Sequence, residues 1–307
     1  MARLTENKTI LVTRKTRLED LVAKYNTVGQ AKFYVEHLGA DYSDYLAEHD
    51  TYQHCVRDAQ AALERLGRVQ TIDRTFLPNF LFGPYDTVIT LGQDGLVANT
   101  LKYLDGQPLV GVNPDPKRWD GVLLPFRVSD LDVLIPDVFA GRCKKRDVTM
   151  AKAQLNNGQC IYGVNDIFIG PKSHTSARYT IRLAEQQEQH SSSGIIVSTG
   201  LGSTGWLKSL MAGAAAIAGG AAQQTIEQTA WDADYLYFTV REPFPSKTSA
   251  ASLVFGKITR EATLTLTSLM PEHGVIFSDG IEADYLEFNS GTVAELGMAE
   301  KKGMLVV

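Results

Sequence analysis

Cysteine is scarce in this chain. Cys55, Cys143 and Cys160 are the only three among 307 residues, they stand far apart, and none belongs to a C-x-x-C pair. That spacing excludes a disulfide framework and a thiolate metal cage, and it suits free thiols in a reducing compartment. Histidine offers no metal-ligand spacing either, since His49 and His54 are five apart and do not share a helix face. G-x-S-x-G, H-E-x-x-H and EF-hand patterns are absent, so a serine-hydrolase elbow, a zinc peptidase helix and a calcium loop are excluded and no protein metal ligand is assigned. Long apolar runs are missing. The longest, residues 210–222, is rich in Gly and Ala and falls short of the about 20 residues a membrane helix needs. The first ten residues, MARLTENKTI, lack the apolar stretch of a signal peptide and the Arg- and Ser-rich pattern of a transit peptide. A cytoplasmic protein without membrane contact is the expectation. Positive charge is not in excess: the net charge is −5, and the nearest basic cluster, Lys144, Lys145 and Arg146, reads as the solvated start of a strand rather than a nucleic-acid surface.

What the chain does have is a clear change of pattern. A hydrophobic content of 44% and this length suit two domains with sizeable cores. Residues 8–13 (KTILVT), 68–72, 87–91 and 109–113 predict buried strands, and residues 18–38, 43–66 and 95–104 predict helices. In the second helix Leu46, His49, Tyr52, Val56, Ala59, Leu63 and Leu66 recur at spacings of three and four. Alternating strand and helix implies a parallel sheet with crossovers, a Rossmann-like α/β domain. After about Pro136 most segments read as strands: 148–155, 160–169, 178–184, 194–198, 235–240, 253–255, 262–267, 274–277 and 286–289. One Ala-rich helix over about 207–228 interrupts them. The expected division is 1–136, α/β, and 137–307, a β-rich domain of sandwich type.

Four stretches can carry chemistry. The first is Gly92-Gln93-Asp94-Gly95, between a buried strand and a helix start. Glycines allow φ > 0 and close approach to an anion, and a helix N-terminus favours negative charge. Asp94 is either a bland helix cap or a carboxylate that takes a proton from a substrate hydroxyl during phosphoryl transfer. The second is Asn165-Asp166, two poor strand formers inside an apolar segment. They mark a bulge or strand end, or present an amide and a carboxylate to a ribose diol or carboxamide. The third is residues 198–206, STGLGSTGW. Lys208 and Ser209 come two residues late for a Walker A loop, yet Thr199, Gly202, Ser203, Thr204 and Gly205 still offer hydroxyls and N–H groups at a helix start, with Trp206 as a stacking face. The fourth, Phe277-Ser278-Asp279-Gly280, reads as a tight turn.

Taken together and in this order, these stretches resemble the NAD kinase family. That family carries a Gly-Gly-Asp-Gly turn in an α/β domain, then an Asn-Glu or Asn-Asp pair and a Gly-Ser/Thr-Thr-Ala-Tyr type segment in a β-rich domain. Residues 110–118 (VGVNPDPKR), 165–170 (NDIFIG), 192–194 and 240–243 (VREP) look closer to its mitochondrial-type branch and bacterial relatives. The resemblance spans nearly the whole chain. It implies transfer of a phosphoryl group from ATP or polyphosphate, with Mg²⁺, to the 2′-hydroxyl of the adenosine ribose of NAD, giving NADP, by a homodimer or larger homo-oligomer. It further implies Asp94 as general base, Gly92, Gln93 and Gly95 as the phosphate-donor turn, and Asn165 and Asp166 as the pair holding the dinucleotide. Thr204, Gly205, Trp206 and Ser209 match the adenosine segment. Arg118, Arg178 and Lys208 are candidate phosphate-binding cations. Two departures stand out. Gln93 replaces the second Gly, where a left-handed conformation would cost on the order of 1 kcal/mol, and Leu96 replaces a hydroxyl residue. Two other readings therefore stay open: a non-catalytic nucleotide-binding relative, and a kinase of the same fold acting on a sugar or nucleoside.

Overall fold

The computed structural model describes residues 7–219 and 229–307. Its contacts divide the chain into two compact units. One holds Met1–Thr100, Gly106–Arg146 and Met304–Val307; the other holds Leu101–Asp105 and Asp147–Gly303. The division therefore falls ten residues beyond Pro136, which lies within a helix, Leu131–Phe139. The reason is packing: Ile135 and Val138 of that helix are buried in the first unit's core, so the helix cannot be parted from it.

The first unit runs β1 (Lys8–Thr13), α1 (Arg17–Tyr25), α2 (Val28–His37), α3 (Tyr42–Leu66), β2 (Arg68–Asp73), β3 (Thr87–Leu91), α4 (Asp94–Leu101), β4 (Pro108–Val112) and α5 (Leu131–Phe139). Apolar spacing predicts one helix over residues 18–38. The structure breaks it at Asn26, which takes φ 66° and ends α1, and Thr27 then caps α2 by accepting the Gln30 N–H. Short polar side chains tolerate that left-handed turn best after glycine. All strand pairs here are parallel, in the order β2-β1-β3-β4. From α3, Tyr52, Ala59, Ala62, Leu63 and Leu66 bury their faces against Leu11, Ile89, Leu91, Val110 and Val112 of the sheet. Because β2 and β3 flank β1 on opposite sides, the chain switches direction across the sheet there. Ligands of open α/β sheets settle at the carboxyl ends of such strands.

The second unit contains β5 (Lys145–Leu155), β6 (Cys160–Gly163), β7 (Asp166–Pro171), β8 (Ala177–Leu183), β9 (Gln186–Ser192), β10 (Ile195–Ser198), α6 (Trp206–Ile217), β11 (Leu236–Val240), β12 (Phe255–Ile258), β13 (Leu264–Ser268), β14 (Gly274–Ser278), β15 (Tyr285–Glu287) and β16 (Val293–Val306). The strands β12-β11-β10-β7-β14-β15 form one antiparallel sheet, and β16-β13-β8-β9 pair antiparallel in another. Ile167, Ile169, Ile195, Val197, Phe238 and Ile276 of the first meet Tyr179, Ile181, Leu264, Leu266 and Leu296 of the second in one buried core, a sandwich. The Ala-rich helix is seen over Trp206–Ile217, and residues 220–228 of the expected span lie outside the described residues. The last residues of β16 belong to the first unit, where Met304 and Leu305 pair parallel with β4. Among the described residues no helix is long and apolar enough to cross a membrane.

Candidate functional site

In the first unit, buried β3 delivers the chain to Gly92, and α4 begins at Asp94. None of Gly92, Gln93 and Gly95 has positive φ. The left-handed strain expected at Gln93 is thus absent, and the turn gets its shape from packing. A Cβ on Gly92 would lie 2.8 Å from Cδ2 of Leu96, a buried residue. Leu96 therefore fills space above the turn that a hydroxyl residue would leave open. The Gln93 carbonyl accepts the N–H groups of Leu96 at 2.8 Å and Val97 at 3.3 Å, which makes Gln93 the N-cap through its backbone. Asp94 does not cap its own helix. Its Oδ1 accepts the Leu123 N–H at 2.7 Å, and Oδ2 draws no hydrogen bond from the described residues. The half-buried carboxylate is fixed by one oxygen and has the other available.

In the second unit, Asn165 and Asp166 stand where β6 passes into β7, so the strand-end reading holds locally. What positions them is Asp279, which takes φ 54° just past β14. Its Oδ1 accepts the N–H groups of Val164 at 3.0 Å, Asn165 at 2.6 Å and Asp166 at 3.4 Å. Lys102, 2% exposed, donates to Ser278 at 3.1 Å and faces Asp284 at 3.5 Å. Burial pushes Asp279 up and Lys102 down from their ordinary pKa values, each held back by the other's charge. Asp166 is buried, and its carboxylate draws no hydrogen bond from the described residues. Desolvation first, and the Asp279 charge second, push its pKa up to about 7. A carboxyl raised in this way keeps its proton to higher pH than a solvated one, so it can donate as well as accept. Sequence reasoning missed Lys102, and it read Asp279 as a tight turn, which the structure shows, without its role in holding residues 164–166. The available signals were a lysine enclosed by Leu101, Tyr103 and Leu104, and an Asp-Gly pair ending an apolar strand.

The Gly-rich segment divides into frame and face. Thr199 is buried; its hydroxyl donates to the Val164 carbonyl at 2.5 Å and accepts the Gly202 N–H at 3.1 Å, while its own N–H reaches the Asn165 carbonyl at 3.0 Å. A Cβ on Gly202 would lie 1.9 Å from that same Asn165 oxygen, so only glycine fits. Ser203 donates to the Gly200 carbonyl at 2.7 Å. These three residues build the platform that carries Asn165. Thr204, Gly205 and Ser209 are exposed. Trp206 opens α6, stacks on Phe168 at 5.9 Å and 12°, and takes the Arg241 guanidinium over its ring at 5.6 Å. Trp206, Phe168, Phe277, Tyr285, Arg241 and Lys172 line a cavity of about 550 Å³. Of the three candidate cations, Arg118 is already held by Asp44 at 2.6 Å. Lys208 and Arg178 are exposed.

No protein-family model matches the chain, and no curated protein matches it in sequence. Solved structures do. The structure of an NAD kinase from Archaeoglobus fulgidus in complex with ATP has a TM-score of 0.58 at 14% identity, over 97% of this chain and 93% of that one. Yeast NADH kinase complexed with NADH has a TM-score of 0.58 at 14% identity, over 99% of this chain and 84% of that one. This chain has the NAD kinase fold. In that fold the Gly92–Gly95 turn occupies the α/β unit, and Asn165–Asp166 with the Gly-rich segment occupies the β-rich unit. At this identity the likeness lies in the path of the backbone, so the NAD kinase fold by itself assigns architecture and not chemistry.

Proposed function

We propose that this protein is an NAD kinase of the mitochondrial-type branch, moving a phosphoryl group from ATP or polyphosphate to the 2′-hydroxyl of the adenosine ribose of NAD. The observation that carries this reading is Asp94: a carboxylate at the first residue of α4, anchored through Oδ1 on the Leu123 N–H with Oδ2 unengaged among the described residues. A secondary hydroxyl is a poor nucleophile, and a positioned carboxylate that takes its proton is the missing element. Asn165 offers an amide donor and acceptor, and Asp166 a carboxyl with a pKa of about 7, which suits the hydroxyls of a sugar. Trp206 and Phe168 offer the stacking face for an aromatic ring of the dinucleotide, and Thr204, Gly205 and Ser209 the exposed edge beside it. Among the described residues no group of three or more His, Cys, Asp or Glu is placed to hold a metal. Magnesium would enter as a companion of the donor phosphates, which together with water supply most of its ligands in such sites. Bound there it neutralises phosphate charge that would otherwise repel Asp94. The absence of left-handed strain at Gln93 removes the backbone objection to turnover. Assembly as a homodimer or larger homo-oligomer in the cytoplasm belongs to the same reading.

The test is an acceptor panel. The full chain with ATP and Mg²⁺ is offered NAD, NADH, and a set of sugars and nucleosides. NADP or NADPH is the expected product. Phosphorylation of a sugar or nucleoside with no turnover of NAD or NADH would contradict the proposal.

A further inference from the structure

Asn165 and Asp166 are backed by a polar core that carries more charge than a strand end needs. All of it belongs to the second unit: Lys102, Tyr103, Ser278, Asp279, Asp284 and Lys301. The Lys102 ammonium is buried, donates to the Ser278 hydroxyl at 3.1 Å and faces Asp284 at 3.5 Å. Its stretch of chain is clamped. The Lys301 ammonium donates to the carbonyls of Lys102 at 3.1 Å and Leu104 at 2.9 Å, and the Tyr103 hydroxyl donates to Asp284 at 2.5 Å. Ser278 is followed at once by Asp279, whose carboxylate takes the N–H groups of residues 164–166 and whose own N–H donates to the Asp166 carbonyl at 3.0 Å.

A neutral acceptor, such as a carboxamide oxygen, would satisfy the same N–H groups. A buried carboxylate and ammonium instead give up their hydration, and replacing such a pair by apolar residues of the same shape is often neutral or stabilising. Stability alone therefore does not account for the charge. Burial pushes the Asp279 carboxyl up, and the Lys102 charge leads the effects that oppose it, ahead of the three N–H groups. Burial, and then the Asp279 charge, raise Asp166. Of the other ionisable groups here, Asp284 is shared by Lys102 and Tyr103, and Lys301 is occupied by two carbonyls. The line from Lys102 to Asp166 thus runs through Asp279.

We infer that Lys102 is a positioning residue for the acceptor: its ammonium keeps the Asp279 carboxylate charged, and that carboxylate fixes both the place and the charge state of the Asn165–Asp166 pair. The role at the acceptor rests on the reading that this pair holds the dinucleotide; the charge link between Lys102 and Asp166 does not.

In the full chain, the Asp166 carboxyl is titrated by carbon-13 NMR, its signal assigned by its loss in Asp166→Asn, and NAD and ATP are titrated calorimetrically. Lys102→Met removes the ammonium and keeps the side-chain length. Asp279 then takes up a proton and stops repelling Asp166, whose midpoint is expected to fall by about one pH unit or more from its wild-type value of about 7. NAD affinity is expected to fall about tenfold or more, comparable to losing one charge-assisted hydrogen bond, with ATP affinity within about twofold of wild type. Asp279→Asn removes the same charge while its amide oxygen can still accept the N–H groups, so it gives the same downward midpoint where Lys102→Met fails to fold. An Asp166 midpoint unmoved or raised in the variants would overturn the inference. So would unchanged NAD affinity in Lys102→Met, or no NAD binding by the wild type. NAD bound and weakened as expected, with no NADP formed from ATP or polyphosphate, supports the inference and counts against the kinase reading alone.

Discussion

Gly202→Ala separates a structural glycine from an ornamental one. The added Cβ starts 1.9 Å from the Asn165 carbonyl oxygen, where contacts under 3.0 Å essentially never occur. One of the two segments must retreat by roughly 1 Å, and overpacking of this kind costs about 1–3 kcal/mol. The same oxygen accepts the Thr199 N–H at 3.0 Å, a bond that the shift lengthens past its useful range, at about 1 kcal/mol more. The expected loss is therefore about 2–4 kcal/mol by urea denaturation. If Asn165 orients the dinucleotide, a displacement of this size lowers kcat/KM for NAD on the order of 10²-fold. Gly213→Ala is the control, since nothing lies within 4 Å of its added Cβ in α6, and it should be neutral or up to about 1 kcal/mol more stable. An unchanged denaturation midpoint for Gly202→Ala would refute the packing argument. A destabilised variant that still turned over NAD at the wild-type rate would refute the role given to Asn165.

Asp166 sets a pH dependence. Its folded pKa of about 7 lies above the ordinary carboxyl value, so the folded state keeps a proton that the unfolded state releases. Its favourable contribution is complete below about pH 4 and is lost as pH rises to about 7, at no more than about 1.4 kcal/mol per unit. Asp166→Asn should thus be more stable than wild type at pH 8 and indistinguishable near pH 4; a gap that widened toward acid pH would reverse the assigned cause. Gln93→Gly should leave stability within about 0.5 kcal/mol of wild type, because no left-handed strain exists to relieve, and a gain above about 1 kcal/mol in thermal or urea unfolding would contradict that. Gly95→Ala meets open space within α4 and should stabilise by up to about 1 kcal/mol while lowering turnover if donor phosphate approaches that backbone; unaltered kcat/KM for the donor would argue against the phosphate-donor turn.

The parts of the fold that local pattern dictates were legible. The α/β alternation ending in the Gly92 turn and the later run of strands are written in apolar periodicity, and the Gly-rich segment before Trp206 reads as the helix start that α6 is. The polar strand β9 was not legible. Its inward positions are polar, His190 and Ser192, and form hydrogen bonds with Glu188 and Tyr179, so QQEQHSS shows no apolar alternation. The support of Asn165–Asp166 was hidden for a different reason. Lys102 and Ser278 are 176 residues apart, and the Asp279 contacts to residues 164–166 span about as much chain as a small domain, so no local spacing reveals them. The conformation of Gln93 depends on Leu96 and the neighbouring strands, which a four-residue motif does not contain.

The decisive measurement is NADP formation by the full chain from NAD, ATP and Mg²⁺, followed for the wild type and for Asp94→Asn at saturating NAD. The wild type should place phosphate on the 2′-hydroxyl of the adenosine ribose, and Asp94→Asn should lower kcat by about 10²–10⁴-fold with little change in NAD binding. Clear NAD binding with no NADP from either ATP or polyphosphate, or an Asp94→Asn variant as active as wild type, would contradict the assignment of Asp94 as the base of an NAD kinase.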